Sequence, residues 1–120
     1  MSLRCLIVDD SALFGDEARG LLEQGGVSVV GFATSGDQAV RLAKEVGPDL
    51  ALVDISLGTE SGFDVARRLA DLPGTAPPKV ILISTYDEQE FSGPIEASPA
   101  VGFIAKTRLS AERIRQLLGD

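Results

Sequence analysis

Histidine is absent from the chain, and cysteine occurs once, as Cys5. Without imidazole the protein cannot form a Ser-His-Asp or Cys-His hydrolase site or an H-E-x-x-H metalloprotease site. A single cysteine excludes an internal disulfide and a cysteine-based zinc site. Cys5 lies within an apolar run, which predicts a buried core residue rather than a reactive thiol. A nucleophile in this chain would therefore be a carboxylate or a hydroxyl.

Long apolar runs and an excess of positive charge are also missing. The longest apolar stretches, such as residues 80–83, are far shorter than the roughly 20 residues of a membrane span, and the N-terminus does not resemble a signal peptide. Lys and Arg number 11 against 18 Asp and Glu, and the net charge of −7 disfavours binding to a phosphate backbone. We therefore expect a cytoplasmic protein that binds neither membranes nor nucleic acid, with residues 1–120 forming a single domain.

Short apolar runs alternate with longer amphipathic segments along the chain. The runs predict β-strands over residues 3–8, 27–33, 50–53, 80–84 and 101–104, and the segments between them place apolar residues at helical spacing. Most of the runs are nearly continuous in Val, Ile, Leu and Ala, as in strands buried on both faces. This order predicts an α/β fold of five βα units, in which right-handed crossovers place helices on both faces of a parallel sheet.

The starts of the predicted helices carry capping residues. Serines stand at three of these starts, at Ser35, Ser61 and Ser110. The fourth helical segment, residues 87–97, differs because it contains Gly93 and Pro94. An interior proline removes a backbone hydrogen bond and clashes with the preceding turn, at a cost of about 3 kcal/mol. We therefore expect this helix to be short, broken or mobile.

Polar side chains follow four of the predicted strands. They are Asp9 and Asp10 after the first strand, Asp54 after the third, Ser84 and Thr85 at the end of the fourth, and Lys106 after the fifth. Parallel strands bring their carboxyl ends to one edge of a sheet. One Asp after a strand is usually a turn or cap residue, but three converging carboxylates repel one another unless one is protonated or a cation lies among them. Mg²⁺ is the natural occupant, since it prefers oxygen ligands.

A lysine and a small hydroxyl across from such a cluster indicate phosphoryl transfer, because phosphoryl oxygens need positive charge and hydrogen-bond donors around them. Aspartate carboxylates are known to act as nucleophiles that form aspartyl phosphates. Asp54 is the better candidate nucleophile because it stands alone at the end of a central apolar strand. Asp9 and Asp10 are adjacent and suited to sharing a cation.

Four motifs carry a family resemblance: residues 6–11 (LIVDDS), 52–55 (LVDI) with Gly62 eight residues after Asp54, 83–85 (IST) and 102–106 (GFIAK). Each is weak alone, but in this order and at these separations they resemble the receiver domain of bacterial two-component response regulators, over essentially the whole chain. The resemblance implies a doubly wound (βα)5 flavodoxin-like sandwich with strand order 2-1-3-4-5. It also implies a phosphorylation-dependent signalling switch, which catalyses only its own phosphorylation and dephosphorylation and is not otherwise an enzyme.

The resemblance also assigns the acceptor and the metal ligands. Asp54 would accept the phosphoryl group from a histidine kinase or a phosphotransfer protein, which supplies the histidine that this chain lacks. Asp10 would bind Mg²⁺ directly, Asp9 largely through water, and Ser56 through its backbone carbonyl, with Asp54 completing the metal site.

The remaining roles implied by the resemblance concern the switch. Lys106 would pair with a phosphoryl oxygen, and Ser84 and Thr85 would belong to the group that binds the phosphoryl group and responds to it. Ser84 matches the hydroxyl that moves towards the phosphoryl group, and Phe103 matches the aromatic residue that turns inward when it does. The altered face would engage a downstream protein partner or an output domain, with the chain a monomer or a phosphorylation-dependent dimer.

Two departures from the family pattern affect the loops around the site. Thr107 follows Lys106 where many receivers have a proline with a cis bond, and since a cis bond before a non-proline residue costs about 2.5–4 kcal/mol, we expect a trans bond. Leu57 and Gly58 replace the familiar Met-Pro pair after Asp54, which predicts a looser loop around Ser56.

Three other functions fit parts of the pattern. A degenerate receiver would bind partners without being phosphorylated, and the complete set of acidic, hydroxyl and lysine residues argues against it. A Mg²⁺-dependent phosphatase with an aspartyl nucleophile would need a second carboxylate where Ser56 stands. A flavin-binding domain would need a phosphate loop after the first strand, where Asp9 and Asp10 would repel phosphate. The phosphorylated switch is therefore favoured, with the degenerate receiver as the alternative.

Overall fold

A computed structural model describes residues 3–73, 76–85 and 91–119, in which strands and helices alternate. The strands are β1 Leu3–Val8, β2 Val27–Ala33, β3 Leu50–Asp54, β4 Ser56–Leu57, β5 Glu60–Ser61, β6 Lys79–Ser84 and β7 Gly102–Ala105. The helices are α1 Ala12–Gln24, α2 Gly36–Val46, α3 Gly62–Ala70, α4 Ser92–Ala97 and α5 Ala111–Leu118, and a 3₁₀ turn spans Lys106–Arg108. None of the helices in the described ranges has the length and apolar content of a membrane span.

Five of the strands form one parallel sheet in the order β2-β1-β3-β6-β7. Strands β4 and β5 pair only with each other, as a short antiparallel hairpin. The sheet order is therefore 2-1-3-4-5 when the hairpin is set aside, which confirms the predicted topology. Every residue of the central strand β3 is buried, because helices cover both faces of the sheet.

Two buried apolar clusters lie on the two faces of the sheet. One contains residues of α2, α3 and α4, and the other contains residues of α1 and α5. This arrangement confirms the predicted doubly wound α/β sandwich. Cys5 belongs to the second cluster, and burial raises the pKa of its thiol to about 12, so the prediction of a core cysteine is also confirmed.

Strand β2 contains an irregularity beside Gly31. Cys5 pairs with Val29 but the next residue, Leu6, pairs with Gly31, so β2 carries one extra residue at this point. A Cβ at position 31 would lie 3.1 Å from Leu6 Cδ1, and glycine, which has no Cβ, avoids this tight contact. The bulge explains why the apolar alternation of this strand is looser than that of the others.

The ends of several elements test the sequence predictions. Ser35, Ser61 and Ser110 each accept a hydrogen bond from a backbone N–H two or three residues further on, which confirms the three predicted caps. The described residues contain no cis peptide bond, so the bond that follows Lys106 is trans as predicted. The last strand begins one residue later than predicted: Val101 is exposed and donates its N–H to the Val80 carbonyl, and the strand pairing begins at Gly102.

Helix α4 is short, but the reason is not the one predicted. Pro94 is the third residue of this six-residue helix, where a backbone N–H has no partner within the helix. The proline therefore stands in the first turn, costs no helical hydrogen bond and does not interrupt the helix. Residues 87–90 of the predicted segment lie outside the described residues.

The loop after Asp54 forms a closed hairpin, so the prediction of a looser loop was wrong. Leu57 is buried in the core, and Gly58 makes the turn with a φ of 58°, a conformation that glycine adopts readily. Glu60 then reaches the start of α2, where its carboxylate accepts a hydrogen bond of 2.9 Å from the N–H of Gly36. An apolar anchor and a polar one therefore hold the hairpin.

Candidate functional site

Three carboxylates meet at the carboxyl edge of the sheet. Asp9 and Asp10 follow β1, Asp54 ends the neighbouring strand β3, and one carboxylate oxygen from each lies within 4.8 Å of the others. Asp9 is fully buried, Asp54 is 7% exposed and Asp10 faces solvent. The predicted convergence of Asp9, Asp10 and Asp54 at one edge of the sheet is therefore observed.

Lys106 places its ammonium group against two of these carboxylates. Its Nζ lies 2.6 Å from Asp9 Oδ2 and 3.0 Å from Asp54 Oδ2. The contact with Asp54 is an aligned hydrogen bond, whereas Asp9 Oδ2 has a close ion pair and no aligned hydrogen-bond donor within the described residues. One ammonium group cannot neutralise three carboxylates, so the site keeps an excess of negative charge.

The donor set fits a hard divalent cation. Asp9 Oδ2 is a buried acceptor with no aligned donor among the described residues, and the oxygens of Asp10 and Asp54 lie close enough to share one ion with it. Mg²⁺ is commonly held by one or two carboxylates together with several waters, which the solvent-facing Asp10 side of the site can admit. Asp9, Asp10 and Asp54 are therefore the residues that would hold the ion.

Ser56 lies at the exposed rim of the site, two residues after Asp54. Its N–H donates a hydrogen bond of 3.1 Å to Asp54 Oδ1, which fixes the second oxygen of that carboxylate. The predicted role of the Ser56 carbonyl as a metal ligand stays a prediction.

Backbone hydrogen bonds orient Asp9. Its N–H donates to Ala33 of β2, and its Oδ1 accepts a bond of 2.9 Å from the N–H of Ser11. Ser11 in turn caps α1, where its Oγ accepts from the N–H of Phe14. The turn that starts α1 therefore fixes the Asp9 carboxylate through the Ser11 N–H and the backbone of Phe14 through the Ser11 hydroxyl.

Gly62 allows the chain to return against Asp54. The Gly62 N–H donates a hydrogen bond of 2.7 Å to the carbonyl of Ile55, and a Cβ at this position would lie only 1.9 Å from the Asp54 carbonyl oxygen. A residue with a side chain cannot occupy this position without moving the backbone that carries Asp54.

Ser84 and Thr85 lie at the same edge of the sheet. Ser84 is buried at the end of β6, one residue beyond Ile83, which pairs with Asp54 across the two strands. Thr85 follows it and is exposed. Phe103 is half-buried on β7, opposite Leu82, and packs against the α4 side of the core. The predicted switch roles of Ser84, Thr85 and Phe103 stay predictions.

Burial and charge shift the pKa values of the two facing groups. Burial raises the pKa of the Asp54 carboxyl above its ordinary value, and the hydrogen bond from Ser56 and the ammonium of Lys106 offset this only in part. Burial lowers the pKa of Lys106, but the carboxylates of Asp9 and Asp54 outweigh that effect and raise it. Lys106 is therefore cationic at neutral pH, while ionising Asp54 costs folding free energy.

This cost predicts a pH-dependent gain in stability for Asp54→Asn. Because the folded-state pKa of Asp54 lies above its unfolded value, ionisation destabilises the fold at neutral pH, and the cost disappears as the pH falls through the folded-state pKa. In the absence of Mg²⁺, we expect the free energy of unfolding of Asp54→Asn at pH 7 to exceed that of the wild type by about 1 kcal/mol. The gain should shrink as the pH falls into the acidic range in which the Asp54 carboxyl is protonated in the folded protein. Urea unfolding across this pH range measures the difference in stability. A lower stability of Asp54→Asn than of the wild type at pH 7 would contradict the prediction. Asp16→Asn, which alters an exposed carboxylate, is the control.

Two side chains at the site escaped prediction. The ring centroid of Phe14 lies 4.4 Å from the Nζ of Lys106, although the sequence indicated only an apolar residue of α1. Its position in the first turn of α1, three residues after the Ser11 cap, was a usable signal, since the start of α1 lies at the same sheet edge. Glu60 anchors the loop after Asp54 to α2, and no pattern in the sequence pairs these two segments.

The chain is a sandwich around a five-stranded parallel sheet that carries an acidic cluster and a lysine at its carboxyl edge. A family model, the response regulator receiver domain, matches residues 5–118. The chain therefore belongs to the response regulator receiver domain family.

Relatives and solved structures agree with this assignment. The chain is 31% identical over 106 residues to the chemotaxis protein CheY of Thermotoga maritima, covering 88% of this chain and 87% of CheY. The receiver domain of NarL from Mycobacterium tuberculosis superimposes with a TM-score of 0.82 at 31% identity, covering 98% of this chain and 94% of the other. A response regulator from Burkholderia pseudomallei, solved with a phosphorylated aspartic acid and a calcium ion, gives a TM-score of 0.81 at 25% identity, covering 98% of this chain and 66% of the other.

The curated relatives differ from this chain in length. The chain spans 49% to 53% of several of them, which are described as transcriptional regulators or response regulators.

Proposed function

We propose that this chain is a signalling switch that accepts a phosphoryl group on Asp54 in a Mg²⁺-dependent reaction. The observation that carries the proposal is the Asp54 carboxylate itself, which shares its site with Asp9, Asp10 and the ammonium of Lys106. Membership of the receiver family supports phosphorylation-based signalling. The phosphorylated aspartic acid of the similar Burkholderia pseudomallei response regulator supports an aspartate as the residue that carries the group.

The proposed reaction transfers the phosphoryl group from a phosphohistidine of a histidine kinase or phosphotransfer protein. An oxygen of the Asp54 carboxylate attacks the phosphorus, a P–O bond forms, and the P–N bond to the donor imidazole breaks. Mg²⁺, when bound at Asp9, Asp10 and Asp54, supplies positive charge to the phosphoryl oxygens. The ammonium of Lys106 moves from the Asp54 carboxylate to a phosphoryl oxygen, and Asp9 keeps it within reach.

The output of the proposed switch begins at the end of β6. The buried Ser84, together with Thr85, would bond the new phosphoryl oxygens, and Phe103 would repack into the space that this movement opens. The changed surface would then bind a downstream protein or an output domain, with the chain acting as a monomer or a phosphorylation-dependent dimer. Catalysis by the chain would be confined to its own phosphorylation and dephosphorylation.

Incubation with Mg²⁺ and acetyl phosphate tests the proposal by intact-protein mass. We expect the wild type to gain one phosphoryl group, the Asp54→Asn variant to gain none, and chelation of Mg²⁺ to abolish the gain in the wild type. The Asp16→Asn variant, which alters an exposed carboxylate of α1, is the matched control and should react as the wild type does. A wild type that binds Mg²⁺ and stays unmodified would overturn the proposal in favour of a receiver that acts without phosphorylation.

A further inference from the structure

We infer that Phe14 is a positioning residue for Lys106, whose ammonium group it holds by a cation–π contact in the place from which that group serves the phosphoryl oxygens. The inference rests on the proposed function, since it concerns the rate of that reaction. The ring centroid lies 4.4 Å from Nζ, within the range in which such contacts are attractive. Phe14 belongs to the first turn of α1, where its N–H donates to the Ser11 cap, so the ring has a fixed base.

The surroundings of the ammonium group give the ring a distinct task. Lys106 has three N–H donors, and the carboxylates of Asp9 and Asp54 lie 2.6 Å and 3.0 Å from its nitrogen. The side chain is only 13% exposed, so little water reaches it. The face of the Phe14 ring, which carries partial negative charge, covers a further side of the group. An aliphatic residue of similar size would exclude water there without attracting the cation.

The contact matters because Lys106 has to change partners during the reaction. Its ammonium must leave the Asp54 carboxylate for a phosphoryl oxygen, and a lysine side chain has many rotamers to lose when it is held in one place. The Phe14 ring does not take part in the exchange, so it can hold the cation before and after transfer. A donor held in place beforehand stabilises the transition state without reorganisation when charge develops.

Stepwise fluorination of the ring tests this role without changing the shape of the side chain much. We would replace Phe14 by 4-fluoro-, 3,5-difluoro- and 3,4,5-trifluorophenylalanine, which weaken the negative ring face in order, and measure phosphorylation by acetyl phosphate at saturating Mg²⁺. The logarithm of the rate constant should fall steadily, to about three- to tenfold below the wild type for the trifluoro ring. The Mg²⁺ concentration that gives the half-maximal rate should change less than twofold, because the Phe14 ring is uncharged and is not one of the groups that would hold the ion.

Natural substitutions supply the matched controls. Phe14→Leu should slow the reaction as much as the trifluoro ring does, and Phe14→Tyr should restore most of the rate. Phe32→Leu removes another half-buried ring near α1, one that packs beside Gly15, and should leave the rate within twofold of the wild type. A purely structural role for Phe14 predicts the opposite result, namely equal rates across the fluorinated series.

A spectroscopic readout checks the contact itself in the unphosphorylated protein. The lysines of the chain are Lys44, Lys79 and Lys106, so their ε-methylene signals in a carbon–proton NMR spectrum can be assigned with Lys106→Arg. The Lys106 signal should show an upfield ring-current shift that Phe14→Leu abolishes and Phe32→Leu keeps. Loss of reaction in the wild type would defeat the proposed function and this inference with it. A reactive wild type with a flat fluorinated series, or with no ring-current shift, would defeat this inference alone.

Discussion

Replacing Lys106 by methionine is expected to make the stability of the protein depend more strongly on Mg²⁺ than that of the wild type. Asp9 is fully buried and its charge is compensated by the ammonium 2.6 Å away, so the variant leaves that charge without its counterion. Breaking a buried ion pair from one side costs about 3 kcal/mol of unfolding free energy or somewhat more, and we expect a loss of that size in metal-free buffer. Saturating Mg²⁺ should recover most of it, because the ion binds the folded carboxylates and not the unfolded chain.

Urea unfolding with and without Mg²⁺ measures this effect, and phosphorylation gives a second readout. The rate of phosphorylation of Lys106→Met by acetyl phosphate should fall at least about 100-fold, as when one preorganised donor is removed from a site of developing negative charge. Lys44→Met removes an exposed lysine of α2 and should change stability by no more than about 0.5 kcal/mol. Equal stabilisation by Mg²⁺ in Lys106→Met and in the wild type would show that Lys106 is not the counterion of Asp9.

The sequence was sufficient to predict the sheet edge on which the site lies. Apolar runs predicted the strands, and parallel strands bring Asp9, Asp54 and Lys106 to one edge whatever the details of packing. The order of the strands could not be predicted in this way, because nothing in the periodicity distinguishes one parallel order from another. It came from the family resemblance, and the observed pairing agrees with it.

The parts that were not predicted depend on contacts between distant segments. Gly58 indicated a flexible loop, but the buried Leu57 and the bond from Gly36 to Glu60 close that loop into a hairpin. Pro94 indicated a break, but its effect depends on where the helix begins, and α4 begins two residues before it. In both cases the local propensity was read correctly and the tertiary context decided its consequence.

Gly62→Ala is expected to destabilise the protein by about 3 kcal/mol, because the added methyl group has no space. A Cβ at this position would lie 1.9 Å from the carbonyl oxygen of Asp54 and 2.7 Å from the Cα of Ile55, and both atoms belong to the backbone. Flexible side chains can move aside at little cost, but here the backbone of Asp54 and Ile55 must move. The displacement should therefore slow the phosphorylation of Asp54 as well as lower stability.

The same substitution at Gly20 supplies a control with the opposite sign. Gly20 lies within α1 and is exposed, and apart from its chain neighbours and the backbone of its own helix, no atom of the described residues would lie within 4 Å of an added Cβ. Alanine favours a helix interior over glycine by roughly 0.5–1 kcal/mol, so Gly20→Ala should stabilise the protein and leave phosphorylation unchanged. Urea unfolding compares the two variants directly. A loss of less than about 1 kcal/mol of unfolding free energy in Gly62→Ala, together with phosphorylation at the wild-type rate, would contradict this prediction. It would mean that the buried backbone around Asp54 relaxes easily around the added methyl group.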